Sequence, residues 1–258
     1  MDKNKSSQWA DLLAQAVNTP GMISKGYSAF HQYSSGNQSL AYSECMLRGI
    51  PASPIATYKQ WQEKGRQVRK GEKAIGLYLP VTIKKQDEST GEETTKRFFL
   101  LKNNWFALSQ TEGEDYIPPE IPDFSIDQSL STLGIRRVEF DSLEGNCQGF
   151  ARCGVPEIAI NPLAVMPEKT TFHEMAHHIL GHTNTGAGIF SDGETTPKNI
   201  REVEAESVAY ICLESLGLTG GEYCRGYIQS WIDGESIPDQ SARRIFSAAD
   251  KILKAGKI

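Results

Sequence analysis

The histidines of this chain are concentrated in one short segment. The 258 residues include five histidines, and four of them lie between residues 173 and 182. His173, Glu174 and His177 form the pattern H-E-x-x-H. Residues i and i+4 of a helix lie above one another on one face, so both imidazoles can bind one metal ion. Glu174 then lies beside a water that the metal activates, and the pattern predicts a zinc site with Glu174 as the catalytic base.

The residues around this pattern predict a helix that begins near Pro167 and ends before Gly181. Ordinary polar histidines on an amphipathic helix are the alternative interpretation. Catalytic zinc usually takes three protein ligands and a water, so a further ligand is needed. His182 lies about 140° around the helix from His177, and we interpret it as a cap or a structural residue. His178 points away from His177 and is interpreted as a structural or supporting residue.

A second predicted helix, over residues 200–217, offers the missing ligand. Glu202 and Glu206 are four residues apart and share one face, whereas Glu204 is expected to face solvent. Two stacked carboxylates beside apolar residues are costly unless a positive group pairs with them. We therefore assign Glu202 as the third zinc ligand and Glu206 as the acceptor of a ligating histidine's other N–H. Reversed roles for the two residues, or a solvated acidic helix, remain open.

The composition is that of a folded globular chain. Hydrophobic residues make up 39% and charged residues 23% of the sequence. No apolar stretch approaches the roughly 18 residues needed to span a bilayer, and the first residues lack an apolar signal core. We expect a cytoplasmic protein without a membrane partner. The five cysteines are odd in number and form no C-x-x-C pair, which argues against a disulfide framework.

The charge is divided unevenly along the chain. Residues 1–110 contain 15 basic against 9 acidic side chains, whereas residues 111–258 contain 12 against 23. Opposite charge in the two halves indicates two domains with different partners. The Pro-containing acidic stretch around residues 116–129 is typical of a linker. We predict a DNA-binding domain at 1–115, a linker at 116–129 and a metallopeptidase domain at 130–258.

Both predicted domains combine helices and strands, which gives an α+β fold class. Residues 75–83 and 97–108 predict a β-hairpin around a charged loop at 84–96. Residues 137–140 and 156–161 predict a small sheet that precedes the helix with the H-E-x-x-H pattern, called the motif helix below. The strand just ahead of that helix is expected to offer a free edge on which an extended peptide can bind beside the metal.

The N-terminal half carries a basic cluster with aromatic residues nearby. Single-stranded nucleic acid is bound by a cationic track together with aromatic faces on which bases stack. The predicted DNA-binding residues are Lys59, Trp61, Lys64, Arg66, Arg69, Lys70 and Lys73. A solvated basic turn is the alternative interpretation.

Several segments together resemble one family. Residues 50–75 resemble the N-terminal domain of the ArdC antirestriction family, which implies a module that binds single-stranded DNA. Residues 173–182, 201–206 and 227–231 resemble the zincin-like metallopeptidase domain of the same family. The resemblance runs over nearly the whole chain in the expected order. It implies a protein of plasmids, phages or other mobile elements that protects incoming DNA from host restriction.

The helix that carries Glu202 is also similar to the E-x-x-A-[DN] helix of the broader IrrE/ImmA metallopeptidases. In that group the first glutamate is the third metal ligand, which implies the same role for Glu202. Glu206 departs from the pattern, because the group often has Asp or Asn at its position.

The leading hypothesis is an antirestriction-type protein that binds single-stranded DNA and cleaves a DNA-associated protein with a Zn²⁺ peptidase site. One alternative is a DNA-binding protection protein whose zinc is structural. Another is a DNA-independent cytoplasmic metallopeptidase. Both peptidase hypotheses require a protein or peptide substrate that the sequence does not identify.

Overall fold

The computed structural model describes residues 8–86, 93–142, 145–184, 196–232 and 234–258. The helices are α1 (Gln8–Asn18), α2 (Met22–Phe30), α3 (Ser35–Arg48), α4 (Tyr58–Glu63), α5 (Ile126–Leu133), α6 (Pro167–Ile179), α7 (Lys198–Leu216), α8 (Gly221–Ile232) and α9 (Asp239–Ala255). The strands are β1 (Ile55–Thr57), β2 (Arg66–Val68), β3 (Ile75–Gln86), β4 (Glu93–Ala107), β5 (Thr111–Gly113), β6 (Arg136–Val138), β7 (Gly149–Ala151) and β8 (Glu157–Ile160). This mixture of helices and small sheets confirms the α+β class.

The chain forms two compact units whose limits differ from the predicted domain boundaries. One unit comprises Leu40–Pro119, and the other joins the residues up to Ser39 to those from Glu120 onward. The predicted boundaries at 115 and 130 are based on charge and composition along the chain. Such local patterns do not reveal that the first helix packs against residues more than 200 positions away, as Trp9 does with Asp239.

The unit of residues 40–119 is built on the predicted hairpin. Strands β3 and β4 pair antiparallel from Ile75↔Trp105 to Gln86↔Glu93, with a bulge after Ile75, and β1 pairs with the end of β4. The hairpin is confirmed, and its strands are longer than predicted. They take in part of the expected loop at 84–96, and residues 87–92 lie outside the described residues.

Local capping explains the short helix that follows β1. The Thr57 hydroxyl accepts from the Gln60 backbone N–H, and the Gln60 side chain accepts from the Thr57 backbone, which forms a capping box. Trp61 on this helix is fully buried, and its indole N–H donates to the Phe106 carbonyl at 2.8 Å. The helix is thus fixed to β4 through its largest side chain.

The other unit contains a small mixed sheet in the order β6-β8-β7. Strand β8 pairs parallel with β6 and antiparallel with β7. The strand directly ahead of the motif helix is therefore central, and the expectation that it offers a free edge is wrong. Among the described residues the two edge strands of this sheet are β6 and β7, because β8 is paired on both sides.

Helix α7 is the core of this unit. Every residue from Val203 to Leu213 is buried, so the helix has no solvent face over this stretch. Gly217 ends the helix in the left-handed conformation at φ 65°, as the sequence predicts. Helix α2 contacts α7, and α1 contacts α8 and α9. No helix among the described residues is long and apolar enough to cross a membrane.

Particular contacts hold the N-terminal helices in this unit. The Trp9 ring lies 5.9 Å from that of Phe246, and the Trp9 backbone N–H donates to Asp239 at 2.6 Å.

The predicted linker at 116–129 also differs from the structure. Its last residues begin α5, whose first turn is capped by the Ser125 hydroxyl.

We expect Leu13→Ala to destabilise the unit that contains α6 and α7, although Leu13 lies far from them in sequence. The Leu13 side chain is 1% exposed, and truncating a buried leucine costs about 2–5 kcal/mol. Leu163→Ala is the matched control in the same unit, because Leu163 is 87% exposed and surface changes cost about 0.5 kcal/mol or less. Urea unfolding measures both variants, and equal midpoints would contradict the packing described above.

Candidate functional site

Helix α6 carries the histidine pattern on a partly buried face. It begins with Pro167 in the first turn and ends at Ile179, and Gly181 follows with φ 76°. Phe172 and Met175 are fully buried and fix the rotation of the helix. That rotation directs His173 and His177 toward α7, against which α6 packs.

Three potential ligand atoms converge between these two helices. The Nε2 atoms of His173 and His177 are 3.1 Å apart. Glu202 Oε2 on α7 lies 3.4 Å from the His173 Nε2 and 3.8 Å from the His177 Nε2. The structure thus brings together the three residues that the sequence predicts as ligands.

The spacing of these atoms fits a divalent metal ion. Ligand atoms at about 2.0–2.1 Å from a tetrahedral zinc ion are separated from one another by roughly 3.3 Å. The three observed separations are close to that value. Two imidazole nitrogens and one carboxylate oxygen are also a common donor set for zinc. The side chains present therefore fit the predicted ion.

On the far side of His173, its Nδ1 lies 3.0 Å from Glu206 Oε2. Lys169 Nζ lies 2.7 Å from the other Glu206 oxygen, so this carboxylate is held between two nitrogen groups. Burial raises the pKa of Glu206, but the hydrogen bonds from His173 and Lys169 outweigh it and bring the pKa to about 2. Glu206 occupies the outer side of a predicted ligand, as the sequence interpretation requires.

The two predicted histidine ligands differ in charge without a metal. Burial lowers the pKa of His173, but its hydrogen bonds to Glu202 and Glu206 outweigh burial and raise the pKa to about 9. Burial and the neighbouring His173 lower the pKa of His177 to about 3. The hydrogen bond with His173 also lowers the pKa of Glu202. Without a metal, protonated His173 therefore provides positive charge between the carboxylates of Glu202 and Glu206.

His177 is held on its other side by His182. The two Nδ1 atoms are 2.9 Å apart, and His182 Nε2 lies 2.8 Å from Glu204 Oε2. Glu204 is fully buried, so the expectation that it faces solvent is wrong. The expectation fails because α7 is buried on every side around Glu204. The turn that follows Gly181 places the His182 ring against the Glu204 carboxylate.

His178 points away from the three convergent atoms. Its Nε2 lies 2.8 Å from the Glu157 carbonyl oxygen, and its Nδ1 lies 2.9 Å from the Thr183 hydroxyl. These contacts tie α6 to strand β8 and to the following turn, which is a structural arrangement.

Glu174 lines the same cavity as the convergent atoms. This cavity has a volume of about 350 Å³, and strand β7 lines it as well. Burial raises the pKa of Glu174 to about 7, although the Ala151 backbone N–H donates to the carboxylate. A carboxyl group with this pKa can accept a proton near neutral pH.

Strand β7 reaches the cavity because of Gly149. A Cβ atom at this position would lie 2.6 Å from the Thr170 side chain on α6 and 2.9 Å from the Ala159 carbonyl oxygen. The backbone of β7 therefore comes close to α6 only with glycine at position 149. The sequence interpretation missed this strand, because its signal is a single glycine in a short irregular segment.

The predicted DNA-binding residues do not share one role. Trp61 is fully buried, so the expectation that it contributes to a DNA surface is wrong. Arg66 Nε donates to Thr111 Oγ1 at 2.8 Å, and its guanidinium also contacts backbone carbonyls of the paired strand β5. Arg69 donates to Glu72 at 3.1 Å and to the Ser109 carbonyl. Arg66 thus joins β2 to β5, whereas Arg69 joins the turn after β2 to the segment before β5.

The predicted lysines are all exposed, as is Arg69. Lys59 forms a loose pair with Glu63 at 3.8 Å, and Lys64 lies 5.3 Å from the centre of the Tyr116 ring. Lys70 and Lys73 are also exposed. Their ammonium groups are accessible to a polyanion.

Exposed aromatic rings occur on the hairpin instead of at Trp61. Phe98 is 40% and Phe99 39% exposed on consecutive positions of β4. Side chains alternate along a strand, so the two rings lie on opposite faces of the hairpin. The sequence places many aromatics in this half of the chain, but which of them are exposed depends on the fold.

Comparisons with known proteins agree with this architecture. Residues 5–106 match the family model of the N-terminal domain of anti-restriction factor ArdC. An uncharacterized protein, y4eC, of Sinorhizobium fredii is 26% identical over 92% of this chain and 79% of its own length.

Two crystal structures of the antirestriction ArdC protein from the R388 plasmid share the fold. The metal-free structure has a TM-score of 0.54 and 22% identity, and covers 96% of this chain and 94% of its own. The Mn(II)-bound structure has a TM-score of 0.50 and 21% identity, and covers 96% and 95%. The N-terminal part of the chain thus matches the N-terminal domain model of an anti-restriction factor, and the chain as a whole shares the fold of the R388 protein.

Proposed function

We propose that the unit containing α6 and α7 is a metal-dependent peptidase. The observation that carries this proposal is the convergence of His173 Nε2, His177 Nε2 and Glu202 Oε2 in the cavity that Glu174 also lines. A purely structural metal site needs no carboxylate of raised pKa beside it. Glu174 therefore favours hydrolysis over a structural role for the metal.

We assign zinc as the metal of this site. His173, His177 and Glu202 would hold the ion, and two imidazoles with one carboxylate favour zinc over harder cations. One structure of the R388 protein is Mn(II)-bound, which supports a divalent metal ion in a protein of this fold. When bound, zinc supplies Lewis-acid chemistry that lowers the pKa of a water and polarises a carbonyl group.

The chain's own groups then have distinct roles. Glu174 accepts the proton of the attacking water at its carboxylate and later gives it to the departing amine. The outer edge of β7 binds the substrate as an added strand through backbone hydrogen bonds. We propose this edge because β7 lines the cavity and has no second strand partner among the described residues.

Glu174→Gln tests the catalytic assignment. The amide keeps the shape of the side chain but cannot accept the proton, so peptide cleavage should fall by about 10²–10⁴-fold while metal content stays the same. Glu168→Gln is the matched control, since Glu168 is exposed in the first turn of the same helix. A fluorogenic peptide library measures cleavage, and elemental analysis measures metal. Cleavage by Glu174→Gln at the wild-type rate would rule out its role as the base.

A pair of variants tests which glutamate binds the metal. Glu202→Gln replaces a proposed ligand, whereas Glu206→Gln keeps an acceptor for the His173 N–H. We expect Glu206→Gln to weaken metal binding by about 10–100-fold or less and Glu202→Gln to weaken it further. Competition with a chromogenic chelator measures both. The reverse order of affinities would exchange the two assignments.

We also propose that the unit of residues 40–119 binds single-stranded DNA. The match of residues 5–106 to the N-terminal domain of an anti-restriction factor supports a nucleic-acid partner. Bases can stack on the exposed rings of Phe98 and Phe99. Lys102 is exposed and lies two positions beyond Leu100 on the Phe98 face of β4.

Phe98→Ala and Phe99→Ala test the stacking surface. Each stacked base lost costs about 1–3 kcal/mol, so at least one variant should bind single-stranded DNA more weakly by that amount. Leu100→Ala is the control, because Leu100 is 52% exposed on the same strand but has no ring. Fluorescence anisotropy with labelled oligonucleotides measures affinity. Equal losses for Leu100→Ala and both phenylalanine variants would indicate a general apolar effect instead of stacking.

In this proposal the protein protects incoming mobile-element DNA, and its DNA-binding unit brings the peptidase to a DNA-associated protein. The alternative is protection by DNA coating with a structural metal. The two differ in cells, because protection by coating alone survives Glu174→Gln, whereas protection by cleavage does not.

A further inference from the structure

The side of His177 opposite the proposed metal is occupied by a buried pair. His177 Nδ1 lies 2.9 Å from His182 Nδ1, and His182 Nε2 lies 2.8 Å from Glu204 Oε2. The side chains of His182 and Glu204 are 2% and 0% exposed. Water therefore cannot replace either hydrogen bond, and the three side chains form a continuous chain from α7 to α6.

The donor and acceptor properties of these three side chains determine where each proton lies when His182 is neutral. An ionised carboxylate only accepts, so Glu204 requires a proton on His182 Nε2. A neutral imidazole has one N–H, so His182 Nδ1 is then an acceptor. His177 Nδ1 must donate to it, and the lone pair of neutral His177 is left on Nε2. That lone pair faces His173 Nε2 and Glu202 Oε2.

The opposite arrangement does not permit metal binding. If His182 carried protons on both nitrogens, the neutral His177 Nδ1 would have to accept, and the His177 proton would lie on Nε2. This proton would point at the His173 Nε2 only 3.1 Å away and would occupy the ligand position. Only the first arrangement leaves a lone pair for an ion.

The two predicted histidine ligands are supported by different groups. The Nδ1 of His173 contacts Glu206 directly, and Lys169 balances that carboxylate. The Nδ1 of His177 contacts the imidazole of His182, with Glu204 one ring further away. A second carboxylate directly on His177 would add unbalanced negative charge to a buried site, which is costly. The intervening ring supplies an acceptor without that charge.

We propose that His182 and Glu204 are positioning residues that hold His177 in the Nδ1–H tautomer and direct its Nε2 to a divalent metal. The inference rests on the proposed metal site, and it assigns a role to two residues outside the H-E-x-x-H and third-ligand pattern. It also explains why a histidine and a glutamate are buried together where either alone would be unfavourable.

Three variants separate positioning from packing. His182→Leu removes the acceptor, His182→Asn returns a carbonyl oxygen near the Nδ1 position, and His178→Leu is the matched control. His178 lies on the same helix as His177 and also makes two hydrogen bonds, but neither reaches a proposed ligand. Zinc affinity is measured by chelator competition, and the absorption spectrum of the cobalt-substituted protein reports ligand geometry.

We expect His182→Leu to weaken zinc binding by about 10–100-fold and to alter the cobalt spectrum, as is typical when the outer partner of a ligand is lost. His182→Asn should recover most of the affinity, and His178→Leu should bind zinc like the wild type. Wild-type affinity for His182→Leu, or an equal loss for His178→Leu, would overturn the proposal. Wild-type protein that fails to bind any divalent metal would instead refute the proposed function.

A measurement on the unaltered protein does not depend on the folding of variants. Nitrogen-15 NMR of the zinc-loaded protein, labelled at histidine, distinguishes the two neutral tautomers and the doubly protonated ring. We expect His182 to carry its proton on Nε2 alone and His177 to carry its proton on Nδ1. A proton on His182 Nδ1 would overturn the proposal even if zinc binds.

Discussion

The contact between α6 and α7 imposes the main physical constraint on this protein, because it buries ionisable groups from both helices against one another. Glu174, Glu204 and Glu206 are only 8%, 0% and 6% exposed. Buried carboxylates are tolerated only when each has a positive or hydrogen-bonding partner. Lys169 and the histidines of the α6 segment provide those partners, and the same helix rotation also brings the three potential ligand atoms together.

Helix periodicity predicted the part of this site that repeats every four residues. It identified His173 with His177 and Glu202 with Glu206, because each pair needs only one turn of one helix. It failed for Glu204, since the rule that the opposite face of a helix meets solvent does not hold for a helix buried on every side. The partner of Glu204 comes from the turn after Gly181, which periodicity does not describe.

In the N-terminal half, sequence patterns predicted secondary structure but not which aromatic and basic side chains are exposed. The pattern of 75–83 and 97–108 was sufficient to predict the hairpin, because strand pairing follows local alternation and turn composition. Composition alone did not separate the buried Trp61 from the exposed Phe98. It also did not separate the exposed lysines from Arg66, whose planar guanidinium instead contacts the backbone of a neighbouring strand.

The proton on His173 connects the fold to the proposed metal chemistry. Without a metal, this proton provides the positive charge between Glu202 and Glu206, which is why the pKa of His173 rises to about 9. A divalent ion held by its Nε2 would bring positive charge to the same place, and the proton would then leave that nitrogen. The Nδ1–H bond to Glu206 is retained in both states, as is the contact of His177 with His182 in the proposed tautomer. The buried charges could therefore be balanced either by a proton or by the proposed metal ion with little change in packing, because the three ligand atoms already lie together without an ion.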